Sequence, residues 1–281
     1  MDDRHERWEH FRHVSDGISH LTLQNAWTFL RWLFFACIIG VVVGAVGVGF
    51  HHAISLVTDW RTAHPQILFV LPLAGLFLVW LYRACDMARD GGTNLVLISV
   101  RDNAPIRLRT APLIITATIL THLCGGSSGR EGAALQMGSA ISAWIGRLMR
   151  LDDKDERVIK MCGMAAGFSA LFGTPLAAAV FAMEVVSVGV MYYAAMFPCL
   201  LASLVALMTA RMLGGRAEAF LVFGIPKLTP LALAQVIALG LLCALVAILF
   251  CKVFGVIQRR YARYLPNPNA RVVVGASVVI A

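Results

Sequence analysis

Arg130 and Glu131 stand inside one of the most apolar regions of the chain. Residues 111–124 precede them, and residues 133–145 follow without a single charge. The local string is Gly125-Gly126-Ser127-Ser128-Gly129-Arg130-Glu131-Gly132. An ionisable side chain at membrane depth is costly, and its presence points to function. Glycines leave backbone N–H groups open to a ligand, and a helix that starts here turns its positive end toward an anion. Gly129, Arg130 and Gly132 are therefore candidate anion-binding residues, with Glu131 at the door of the site.

A second glycine-led entry lies upstream at Gly91-Gly92-Thr93-Asn94. Only a short apolar piece follows it, residues 95–100, which is too short to span a bilayer and reads as a half-helix. Gly92 offers backbone N–H groups, and Thr93 and Asn94 add side-chain donors. An anion in hydrocarbon must recover the hydrogen bonds it had in water, and two such helix tips supply them. The carboxylate of Glu131 is itself an anion and can fill the site when no substrate is there. Protonated, it is neutral and can swing away, which couples proton movement to anion movement. The competing structural reading is a local Arg130–Glu131 ion pair. Adjacent residues point in different directions on a helix, which weakens that pairing.

These tips need a scaffold, and composition says which kind. Of 281 residues 59% are hydrophobic and only 14% are charged, against about a quarter charged in soluble domains. With a mean hydropathy of +0.75, this describes an all-α polytopic membrane protein. The apolar runs are long and do not alternate with polar residues, which argues against a β-barrel. The net charge of +8 is concentrated in short connections, residues 83–89, 101–109 and 259–271. That pattern fits cytoplasmic loops and not a nucleic-acid surface. Seven cysteines are scattered through apolar runs without a close pair, so they read as packing residues and not as metal ligands or disulfides. No cofactor or metal is expected. His51 and His52 read as polar residues at a helix end or packed in the bundle, and not as metal ligands.

Hydrophobic runs place helices over residues 30–57, 66–82, 95–100, 111–124, 131–149, 159–172, 174–188, 192–212 and 231–257. The Gly40/Gly44 pair in the first forms a small-xxx-small packing face. Residues 152–160 read as a charged connection, and Gly173-Thr174-Pro175 as a break between two helices. Residues 1–29 read as a cytoplasmic N-terminal tail, residues 30–213 as a first transmembrane repeat, and residues 214–281 as the start of a second. A helix beginning near Ala270 reaches only about half a span by Ala281. The expectation is a fragment or a naturally shortened protein.

With these residues in view, the chain resembles the CLC family of anion channels and proton-coupled anion antiporters. Gly129-Arg130-Glu131-Gly132 is similar to the family's Gly-Lys/Arg-Glu-Gly segment, in which the glutamate is gate and proton acceptor. Residues 166–177, from Ala-Gly-Phe through Pro-Leu-Ala, resemble a second family stretch, followed by Phe181-Ala182-Met183-Glu184. The details resemble the bacterial fluoride/proton antiporter branch. Ala133 stands where chloride members carry proline, and Gly91-Gly92-Thr93-Asn94-Leu95 stands where they carry Gly-Ser-Gly-Ile-Pro, closer to the fluoride branch's Asn-containing version. Val185 stands where proton-coupled chloride members carry a second glutamate, and Glu184 reads as structural.

The resemblance implies an inverted-repeat fold with broken, re-entrant helices, held here as the first repeat plus the start of the second. It implies a multi-pass protein of the bacterial inner membrane, N-terminus inside. Its partners would be fluoride or chloride, protons, the lipid bilayer and a second copy in a homodimer. It also implies that the second half's anion-binding half-helix lies beyond Ala281. The implied function is fluoride export coupled to proton import, not enzymatic, with a chloride channel or chloride/proton antiporter as the alternative. Two rivals come from other classes. Gly126-Ser127-Ser128-Gly129 matches the Gly-x-Ser-Gly of rhomboid-type intramembrane proteases, with Ser128 as nucleophile. That chemistry needs a histidine base, which in that family follows the serine, and all eight histidines here precede it. The other rival is a non-transporting fragment.

Overall fold

The computed structural model describes residues 2–88, 91–187, 189–215, 227 and 229–281, with side chains from residue 26 onward. Ten α-helices and no strand occur among the described residues. Four helical stretches, Ala26–Ala63, Pro65–Ala84, Tyr193–Met212 and Pro230–Tyr264, are long and apolar enough to cross a bilayer.

Two compact groups of residues make up the chain. The first gathers residues 1–56, 89–119 and 128–217. Its centre is α6 (Asp153–Phe172), which packs against α5 (Arg130–Leu148), α7 (Pro175–Glu184) and α8 (Met196–Met212). Small residues set how close these helices come. Gly138 of α5 and Gly163 of α6 meet backbone to backbone, and a methyl group on either would overlap the carbonyl oxygen of the other. Without a hydrophobic drive between helices in lipid, such close van der Waals contact is what holds them. The Gly40/Gly44 face of α1 (Asp2–Ala63) behaves the same way: a methyl on Gly40 would come 2.8 Å from Ala202 O, and one on Gly44 2.9 Å from Ala206 O. The short α3 (Thr93–Arg101) leans on both α5 and α6.

The second group gathers residues 57–88, 120–127 and 218–281. Here α2 (Leu71–Ala84) packs against α10 (Pro268–Ile280), with Gly75 accepting Val272. Leu71, Ala74, Cys124 and Ala276 form its small core. The long α9 (Pro230–Tyr264) has no buried residue. Arg271 donates to Leu265 O from two guanidinium nitrogens and fixes the turn between α9 and α10. The remaining helix, α4, is Thr110–Leu123.

Several boundaries differ from the sequence reading. The charged stretch 152–160 is not a connection, because α6 already begins at Asp153. Asp152 caps that helix by accepting from Asp155 N at 2.8 Å, and Asp153, Asp155 and Glu156 sit in its first turn, where the helix dipole favours acids. At the other sign, α9 continues through Arg259, Arg260 and Arg263 to Tyr264, since bases are welcome in a last turn. The helix placed over 174–188 ends at Glu184. The run 66–82 opens with a 3-10 turn, Pro65–Val70, before α2. The polar stretch 214–218 and the Pro226 turn fall largely outside the described residues. All seven cysteines are unpaired thiols, and Cys162 and Cys199 pack Sγ to Sγ at 3.9 Å.

Candidate functional site

The two glycine-led entries are both helix starts. Gly129 is the N-cap of α5, with φ −71° and ψ 139°, so Arg130 and Glu131 are its first two residues. Gly92 is the N-cap of α3, with φ 60° and ψ −137°. That positive φ is open to glycine and strained for other residues, which explains why glycine stands there. Neither helix start is capped by a side chain. In α6, α9 and α10, by contrast, Asp152, Thr229 and Asn267 each accept a first-turn N–H, while α2, α7 and α8 also begin without a side-chain cap. A glycine cap has no side chain to offer; in α3 the Leu95 N–H turns to Gly92 O at 3.0 Å, and the positive end of each helix remains a place that favours an anion.

The tips meet. A methyl group built on Gly132 would come within 2.7 Å of Thr93 Oγ1, so the Thr93 hydroxyl rests against the first turn of α5. Glu131 turns back over its own helix start. Its Oε2 lies 3.0 Å from where a side chain on Gly129 would begin. The carboxylate thus hovers at the uncapped end of α5, the place where an anion is stabilised. Glu131, Gly129 and Asn94 are exposed, while Arg130, Gly132, Gly92 and Thr93 are half-buried. The structure therefore brings Gly92, Thr93, Gly129, Arg130, Glu131 and Gly132 to two adjoining helix tips. Asn94 is the second residue of α3, beside them. Behind the tip, residues 133–143 of α5 are all buried.

Glu184 closes α7 and is exposed, and Val185 follows as its C-cap. His51 and His52 sit side by side on α1, ring centres 6.1 Å apart. No group of metal-ligating side chains forms among the described residues.

One charged residue escaped the sequence reading. Lys160 stands where the charged connection 152–160 overlaps the start of the helix placed over 159–172; it lies well inside α6 and is wholly buried. Its ammonium is 3.1 Å from Glu156 Oε1 and donates to Asn103 Oδ1 at 3.1 Å and to Ala104 O at 3.3 Å. The signal for it in the sequence is the Glu156/Lys160 spacing of four, which places acid and base on one helix face.

Comparison with known proteins agrees with this architecture. The family model described as voltage gated chloride channel matches residues 74–281. A chloride/fluoride channel protein of Pseudomonas syringae pv. tomato is 33% identical over 240 residues, covering 84% of this chain and 53% of its own. An H(+)/Cl(-) exchange transporter ClcA of Vibrio vulnificus is 30% identical over 179 residues, covering 58% of this chain and 38% of its own. Among solved structures, a CLC-type fluoride/proton antiporter superposes with a TM-score of 0.85 at 32% identity, covering 90% of this chain and 65% of that one. A slow cyanobacterial Cl-/H+ antiporter shares the fold with a TM-score of 0.75. The chain spans about half the length of the curated relative from Pseudomonas. On a family match over residues 74–281, together with the adjoining helix tips that the motif residues build, this chain belongs to the voltage-gated chloride channel family.

Proposed function

We propose that this chain carries the gate of a halide transporter that exports fluoride in exchange for protons, with Glu131 as gate and proton acceptor. One observation carries the reading: the Glu131 carboxylate lies over the uncapped start of α5, where the tip of α3 adjoins it. A carboxylate and a fluoride ion compete for the same N–H groups. An ion arriving displaces the side chain, and a proton on the displaced carboxyl keeps it away. Gly92, Thr93, Asn94, Gly129, Arg130 and Gly132 line the ion's side of that exchange. Residues 30–213 form the first repeat and residues 214–281 begin the second, with residues 1–29 on the cytoplasmic side. The protein works as a homodimer in the bacterial inner membrane.

Fluoride is favoured by the likeness to the Pseudomonas chloride/fluoride channel protein and to the solved fluoride/proton antiporter. Chloride is the second reading, supported by the 30% identity to the Vibrio exchange transporter. The test uses liposomes loaded with potassium fluoride or potassium chloride and holding the protein expressed from its natural reading frame. Halide efflux and proton uptake are followed together. Fluoride efflux with matching proton uptake is the expected result. Chloride moving faster than fluoride ends the first reading, and movement of neither ends both.

A further inference from the structure

The tip of α3 forms half of the proposed site, and something must fix where that tip sits. The helix has nine residues, about 13 Å of rise. Over that length it moves as a rigid strut, so whatever holds its far end also positions Thr93. The far end is held by Lys160. Its ammonium reaches Ser99 O at 3.4 Å, a carbonyl in the last turn of α3 that has no helical donor of its own. It also binds Asn103 Oδ1 and Ala104 O in the segment that follows α3. The Ser99 hydroxyl donates to the same Ala104 carbonyl and closes the end of the helix. Asn103 has φ 52°, a left-handed conformation that costs energy outside glycine, though asparagine tolerates it better than most.

A buried ammonium is expensive unless it is paired and hydrogen-bonded. Here three protons meet four acceptors, counting Glu156 at 3.1 Å. Nothing is left for a mobile ligand, so the group is spent on the end of α3. Its charge also has the right sign for a helix C-terminus. The placement of Lys160 gives the contact its purpose. Three residues further along α6, Gly163 meets Gly138 of α5 backbone to backbone. The tips of α3 and α5 are therefore both referenced to α6, one through an ammonium and one through main-chain contact.

We propose that Lys160 is a positioning residue that, by capping the C-terminal end of α3, sets the place of Thr93 against the first turn of α5. The claim rests on the proposed function only in its transport arm. The first arm is amide hydrogen exchange on the full chain in lipid nanodiscs, comparing wild type with Lys160→Met, Asn103→Ala and the double variant. Lys160→Met is expected to speed exchange across Thr93–Arg101 by about tenfold while α8 keeps its protection. Asn103→Ala should give a smaller change in the same helix. The double variant should go no further than Lys160→Met alone, because both remove one linkage. Unchanged exchange in α3 with α8 still protected overturns the proposal. Should Lys160→Met fail to fold, Asn103→Ala decides: an α3 as protected as in wild type overturns it.

The second arm measures fluoride uptake by the same variants in liposomes. An apparent KM for fluoride raised about threefold or more, with turnover at saturation less affected, is the expected split. A loosened α3 with an unchanged KM overturns the link to the site. A wild type that moves no halide defeats the proposed function, while the exchange data still decide whether Lys160 anchors α3.

Discussion

A single carboxylate carries the chemistry proposed for this chain. Glu131→Gln keeps the shape of the side chain but cannot release or take up a proton as an acid. Halide flux through this variant is expected to lose its coupling, so that external acidification no longer drives efflux. A pH electrode in the liposome assay checks this, and proton uptake persisting at the wild-type ratio excludes Glu131 as the carrier. Gly132 is the second test at this scale. A methyl there would come within 2.7 Å of Thr93 Oγ1, so the hydroxyl must turn away from the first turn of α5 or α3 must shift. Gly132→Ala should cut halide flux by about tenfold or more with little loss of folded protein. Flux equal to wild type would show that the two tips need not touch.

The elements explain which parts of this arrangement were legible in the sequence. The half-helix α3 was legible because a short apolar run stood between Gly91-Gly92 and a polar stretch, and no other element fits that length. The Gly40/Gly44 face was legible because small residues four apart have few other uses in a membrane. The start of α6 was not: its acids read as a charged connection, whereas Asp152 is a cap and the acids after it answer the helix dipole. Lys160 was lost with them, because its partners Ser99, Asn103 and Ala104 lie about sixty residues away in sequence. No local pattern announces such a contact. At this scale the Gly138/Gly163 crossing gives a prediction. Gly138→Val must push α5 and α6 apart and should lower the melting temperature in detergent by several degrees. The same change at Gly49, where a side chain meets nothing within 4 Å, should leave it unaltered.

At the scale of the whole molecule, the fold and the family are secure in the sequence and the ion is not. On the proposed reading, halide choice turns on a few residues at the tips; Thr93, Asn94, Ala133 and Val185 are the positions that depart from the chloride pattern. The long α9 adds an expectation of its own. Its 35 residues rise about 52 Å, well beyond the roughly 30 Å of hydrocarbon. Such a helix tilts or projects from the bilayer. Attenuated infrared dichroism in lipids of increasing acyl length should report a falling tilt, and a tilt independent of thickness would mean that its ends stand in water.

The crossing of Gly138 with Gly163 has one more consequence. Two helices in main-chain contact have little room to shift there, and the contact is only two turns behind Glu131. On the proposed reading, access to the ion is then switched by torsions of one side chain. Rotations of that kind take nanoseconds or less, against microseconds to milliseconds for collective domain shifts. The transport cycle would be paced by ion and proton arrival, with the scaffold standing still.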